Sequence, residues 1–325
     1  MMAPAVKKHP PPKPSHCSPA RFPAVKANGG SCLSNDDVFA VALYISRSRS
    51  AFLGFSGIVD ISSAALVSGD PTSIRAAVHK HLGTKPGEEE TWLNHQAIVS
   101  NHALVERLQN AFRPTYPEAW NSNPRVWLNT IDLEQVLRQY EVSHPRFKFV
   151  GVFPRDFATK SAWSGQCISP PMCSLSVSQL RQEGRTQFGI VFNMDKHDQR
   201  GSHWTACYGG VDPRRANRFG IWYYDSVGYA APGEIKAFMT TFAADVKTTM
   251  GAKAGAKFVV QRNKVRKQFQ DTECGIYALF FVAVCLTTRT PFETICRKTM
   301  GYDAAIHKLR KVFFRPPPSS QGFGL

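Results

Sequence analysis

Cys274 stands at a change of character in the run QFQDTECGIYALFFVAVCL, residues 268–286, with polar residues before it and apolar ones after it. Asp271, Thr272 and Glu273 are turn and cap types, and the sequence from Gly275 is too apolar for a surface helix. Cys274 is therefore expected at the N-terminus of a buried helix, where unpaired amides and the helix dipole favour a thiolate. Cys285 lies deeper in the same helix among apolar neighbours, where an anion is disfavoured. A thiol nucleophile needs a base. GSHWTACYGG offers His203 at the mouth of a strand, directly before Trp204, with glycines that leave room for a substrate backbone. Asp225, where FGIWYYD turns polar, can orient the imidazole. Gln268 and the backbone amide of Cys274 can donate to an oxyanion, with Gln270 competing for the side-chain role.

These side chains need a scaffold that brings distant positions together. From Val126 onward the pattern is α/β: short β-rich runs (FKFVGVF, QFGIVFN, HWTACYG, FGIWYYD, KFVVQ) alternate with helical patterns over TIDLEQVLRQYE, 175–183, 233–249, 275–288 and 303–314. Residues 31 to about 115 read as all-helical: a capped helix at SNDDVFAVALYISRS, with Asp36 and Asp37 at its positive end, then helices over 72–82 and 91–112. FRPTYPEAWNSNP marks a boundary. The expected organisation is a basic Pro-rich flexible tail (1–30), a helical N-terminal domain (31–118), a catalytic core (119–315) and a short C-terminal tail (316–325). No internal repeat is evident.

The order His203, Asp225, Gln268, Cys274, with HW and QFQDTECG as its most specific parts, resembles the adenovirus-proteinase and SUMO-protease clan of cysteine peptidases. The spacing of that family's Gln-x5-Cys-Gly motif favours Gln268 over Gln270. VWLNT at 126–130 is similar to the WLND segment of the SUMO proteases, with Thr130 where that family has Asp. FKFVGVFPRDF and GIVFNMDKHDQRGSHW look closer to the proteases of large cytoplasmic DNA viruses, the African swine fever virus type and, more distantly, the poxvirus core protease.

The resemblance implies an α+β fold: a SUMO-protease-like core, a central mixed sheet flanked by helices, with a helical domain in front. It also implies a His203–Asp225–Cys274 triad with Gln268 as oxyanion donor. Trp127 and Trp204 would sandwich a Gly-Gly segment, giving a cysteine endopeptidase that cuts after Gly-Gly in viral structural polyproteins during virion maturation. Its expected locations are the virion and assembly sites in the host cytoplasm. The alternatives are a SUMO or ubiquitin-like deconjugase, or an inactive nucleic-acid-binding virion protein. The chain's own Gly29–Gly30–Ser31 would then be a candidate cut that sheds the basic tail.

The 325 residues carry 40 Lys+Arg against 24 Asp+Glu, a net charge of +16, which favours anionic partners and adds nucleic acid as a partner through a basic surface. KFVVQRNKVRKQ, free of acids, reads as a strand with a solvated basic edge or as a surface for an anionic polymer. The eight cysteines include no CxxC pair, which argues against a disulfide scaffold and a zinc ribbon, so reduced thiols are expected, with no metal and no cofactor. Cys167, Cys173, His197 and Cys207 match no common zinc spacing. Cys207, four residues beyond His203, reads as a core or site-wall thiol. The run Ile276–Leu286 is about half of the roughly 20 residues that span a bilayer, so no membrane span is expected.

Overall fold

The computed structural model describes residues 16–24, 27, 28, 30–52, 69–215 and 218–317. They form two compact units, one before Tyr116 together with the chain after Phe313, the other Tyr116–Phe313. The division falls within the Pro- and Asn-rich stretch.

The described part of the first unit is helical: α1 (Asn35–Phe52), α2 (Pro71–Leu82) and α3 (His102–Gln109), with shorter helical turns between α2 and α3. Its core gathers Leu33, Val38, Val41, Val78, Trp92, Ile98, Leu108 and Phe112. Ser34 and Asp37 cap α1 reciprocally: the Asp37 amide donates to the Ser34 hydroxyl at 3.2 Å, and the Ser34 amide donates to Asp37 Oδ2 at 2.9 Å. Asp37 is buried, paired with Arg107 at 2.8 Å and Arg21 at 2.9 Å. The expected helix over 91–112 is broken, because His95 and Asn101 turn their side chains back onto the amides of Ala97 and Leu104 and start new turns.

Two expectations are corrected here. The flexible tail does not reach residue 30: Cys17 is fully buried, the Ser18 amide donates to Ala111 O at 2.9 Å, and the Arg113 amide donates to His16 O at 2.8 Å. Of the two expected tails, residues 1–15, 25, 26, 29 and 318–325 lie outside the described set. Nor are all thiols reduced, since Cys17–Cys32 and Cys167–Cys173 are disulfides. Motif spacing reports only local pairs, whereas Cys17 and Cys32 are brought together by the packing around them. Beside that bridge, Ser31 is 2% exposed, its hydroxyl accepting from Arg75 at 2.8 Å and from the Leu33 amide at 3.0 Å. The Gly30–Ser31 bond is thus held in a packed turn rather than presented as a substrate strand.

The second unit is built on a five-stranded sheet in the order β1 (Phe147–Pro154), β2 (Gln187–Asn193), β3 (Trp204–Val211), β4 (Phe219–Tyr224), β5 (Val259–Arg262). The pairs β1–β2 and β4–β5 are parallel, and β3 runs antiparallel to both neighbours. Strands β2 to β4 are buried on both faces, which accounts for their nearly unbroken apolar sequence. On one face lie Ile190, Phe192, Cys207, Ile221 and Tyr223, clustered with Ile235, Met239 and Phe242 of α5 (Gly233–Met250). The other face takes α6 (Cys274–Thr287), which packs on β3, and α4 (Thr130–Ser143), which packs on β1. The pattern expected to give one helix over 303–314 instead gives two short ones, Asp303–His307 and Arg310–Phe313. Among the described residues, no helix is long and apolar enough to cross a membrane.

This topology decides where chemistry can occur. Because β3 alone is reversed, its first residue meets the last residues of β1, β2, β4 and β5 at one end of the sheet. The start of α6 lies at that same end. At the opposite end Arg218 holds the last turn of α6, donating to Cys285 O at 2.7 Å, Thr288 O at 2.7 Å and Thr290 O at 3.1 Å. Gly209 and Gly210, expected to admit a substrate, are at that far end and serve packing: a Cβ would come within 2.1 Å of the Phe188 ring and 2.0 Å of Arg218 O respectively.

Candidate active site

His203 immediately precedes β3, and its carbonyl accepts the Met194 amide at 2.9 Å, which fixes the backbone against the end of β2. Its Nε2 lies 2.9 Å from Asp225 Oδ1. Asp225 follows β4, is 2% exposed, and also accepts the Val227 amide at 2.8 Å. Its backbone is clamped by a residue absent from the expected site: Asn263, just past β5, accepts the Asp225 amide at 2.9 Å and donates to the Asp225 carbonyl at 2.7 Å. With Nε2 committed to Asp225, Nδ1 is the ring nitrogen left for the Cys274 thiol. Burial alone would push the His203 imidazole down, but hydrogen bonds with Asp225 and Cys274, and their charges, raise it to about 9.

Cys274 is the first residue of α6 and is 1% exposed. The preceding Glu273 does not cap the helix with its side chain. Its buried carboxylate is held instead between Arg310 Nε and His307 Nδ1, each at 2.9 Å. Arg310 reaches on to Thr272 O at 3.0 Å and Val126 O at 2.9 Å, and lies 4.4 Å over the Trp120 ring. The loop into α6 is therefore rigid while its first amides are not taken by a side-chain cap. Burial pushes Cys207 and Cys285 far up, and Cys296 up to about 12. Cys207, fully buried in the sheet's core cluster, is a core thiol and no part of the site wall.

Gln268 is 3% exposed and tied to the Asp225 loop: its amide donates to Ser226 O at 3.0 Å, and the Ser226 hydroxyl donates to Gln268 Oε1 at 2.5 Å. Its Nε2 donates to Gln270 O at 2.6 Å, leaving a second N–H. Gln270 turns its own side chain to Arg125, accepting at 2.5 Å, so the competing candidate is engaged elsewhere.

Trp204 is 7% exposed and donates its indole N–H to Leu128 O at 2.9 Å, binding the strand after His203 to the segment that carries Trp127. Trp127 itself is 40% exposed. Asn129 and Asp132 form a capping box that starts α4 just beyond it. Gly275 closes the arrangement. A Cβ there would sit 3.2 Å from Leu128 and 3.4 Å from Trp204, so the residue after Cys274 must be small for the helix to approach.

No protein-family model matches the chain. It is 27% identical over 312 residues to an Acanthamoeba polyphaga mimivirus protein named "Putative thiol protease", covering 93% of this chain and 94% of the relative. A SUMO-1 cysteine protease of African swine fever virus is 30% identical over 128 residues, 39% of this chain and 44% of that relative's length. The crystal structure of the African swine fever virus protease superimposes with a TM-score of 0.57 over 94% of this chain and 97% of the other, at 18% identity, a likeness of fold. The chain is a cysteine protease, with the fold of the African swine fever virus enzyme.

Within the protease, the fold brings His203, Asp225 and Cys274 to one end of the sheet, with Gln268 joined to the same network. Sequence reading missed Asn263 and the Glu273–Arg310 pair. Asn263 sits in the acid-free run after a strand, where an Asn reads as a turn residue. Arg310 is 37 positions from Glu273, and no periodicity links them. The run read as a solvated basic edge is corrected at Lys267, which is buried with its Nζ donating to Arg297 O at 2.9 Å.

Proposed function

We propose that the protease cleaves after Gly-Gly in viral structural polyprotein precursors, acting in the virion and at assembly sites in the host cytoplasm. The supporting observation is the His203–Asp225 contact of 2.9 Å at the mouth of α6, beside Trp204 anchored on Leu128 O. In this reading Cys274 sulfur attacks the scissile carbonyl carbon while His203 holds the thiol proton. The oxyanion is met by the Cys274 backbone amide and the second N–H of Gln268 Nε2. The C–N bond breaks as His203 passes its proton to the departing amine, leaving a thioester. Water then attacks the thioester, giving its proton to His203, and thiol and carboxylate are released. Asp225 keeps the imidazole in one orientation throughout. Trp127 and Trp204 confine the residues before the cut to glycine by sterics.

The test is a Gly-Gly-X peptide library offered to wild type and Cys274→Ala. Cleavage by wild type alone is expected; cleavage surviving the substitution sinks the reading. Selective hydrolysis of ubiquitin-like conjugates instead would make the protease a deconjugase. The charge of +16 supports nucleic acid as a second partner, expected to bind with steep salt dependence.

A further inference from the structure

Beside the oxyanion residue stand two uncovered aromatic rings. Phe269 and Tyr302 are 60% and 59% exposed, with centroids 6.0 Å apart. Their backbone is not loose. The amides of Phe269 and Gln270 both donate to Asp303 Oδ2, at 2.8 and 3.0 Å, and Asp303 is 8% exposed. The buried Tyr277 hydroxyl bonds Lys267 O at 2.8 Å and Gly301 O at 3.1 Å, joining the two segments that carry the rings. Each ring also carries a cation: Arg266 lies 4.6 Å over Phe269 and Lys267 lies 4.7 Å over Tyr302. Arg266 is anchored in turn on Gln268 O at 2.8 Å. Large apolar groups fixed in place and left in water are what a binding surface needs, because little ordering remains to be done on contact.

We propose that Phe269 and Tyr302 receive a bulky apolar or aromatic side chain of the protein substrate immediately after the scissile bond. This rests on the Cys274 chemistry proposed above. Gln268 Nε2 donates to Gln270 O at 2.6 Å, so the oxyanion donor and the Phe269 ring belong to one three-residue segment. The flank made by Trp204, Leu128 and Gly275 is given to the residues before the cut. The aromatic pair shares no residue with that flank, which leaves it for the departing segment.

Two peptides differing only in X of Gly-Gly-X, Phe or Ala, test this in wild type, Phe269→Ala, Tyr302→Ala and Phe269→Leu. The active fraction of each is counted by labelling Cys274 with a thiol-directed electrophile, which separates misfolding from altered preference. Wild type is expected to favour Phe by about tenfold in kcat/KM, the discrimination one apolar contact gives. The Phe269→Ala and Tyr302→Ala ratios should fall toward one, while Phe269→Leu keeps most of the preference. A wild type indifferent to X, or alanine variants with the wild-type ratio, overturns the surface while Cys274-dependent cleavage stands. Cleavage that persists in Cys274→Ala overturns the catalytic reading instead.

Discussion

His203 carries its proton well beyond neutrality, and this sets the pH behaviour of the site. Its ordinary value of 6.5 is raised to about 9 in the fold, so the stabilisation it contributes is complete below about 6.5 and is lost as pH rises through about 9. Turnover should follow the same limb, because the departing amine needs the imidazolium. Asp225→Asn removes a hydrogen-bonded charge that raises His203, so the alkaline limb should move down toward 6.5. The pH profile of Cys274 alkylation checks this against that of peptide cleavage, with Cys285 unlabelled as an internal control. An unmoved limb would mean that Asp225 does not hold the proton on His203. The four principal side chains were legible because each is a chemically distinctive type next to a change in polarity. Asn263 was not, since its role exists only once β4 and β5 lie side by side.

The elements were read well where burial is simple and poorly where polar side chains interrupt. Five β-rich runs became five strands, and the three buried on both faces, β2 to β4, are the ones that show as short apolar runs. The break of 91–112 at His95 and Asn101 was hidden, since either residue can also sit inside a helix. The loop into α6 depends on a contact between two elements, the buried Glu273–Arg310 pair at 2.9 Å. Arg310→Ala takes the guanidinium away from the buried Glu273 carboxylate, and breaking a buried pair in this way costs about 3–5 kcal/mol. Denaturant unfolding should register that loss. Cleavage at a temperature where the variant remains folded should also fall, as Thr272 and Val126 lose their shared donor; unchanged stability would show that His307 alone suffices.

At the scale of the molecule, the helical and α/β halves were legible from composition and periodicity, but the covalent framework was not. The Cys17–Cys32 bridge closes a loop of sequence separation 15, for which the chain-entropy contribution is about 3 kcal/mol. Cys32→Ser should therefore lower the stability of the first unit by roughly that amount, read by hydrogen exchange on α1 and α2. Protection equal to wild type would show that packing around Leu33 and Phe112 carries the unit alone. The bridge also encloses the Gly30–Ser31 bond. A chain nicked there while the bridge is closed gains the mass of one water and releases nothing, the N-terminal piece staying attached through sulfur. Shedding the basic leading segment would take two independent events, a hydrolysis and a reduction, so a non-reducing gel would not reveal that the first had occurred.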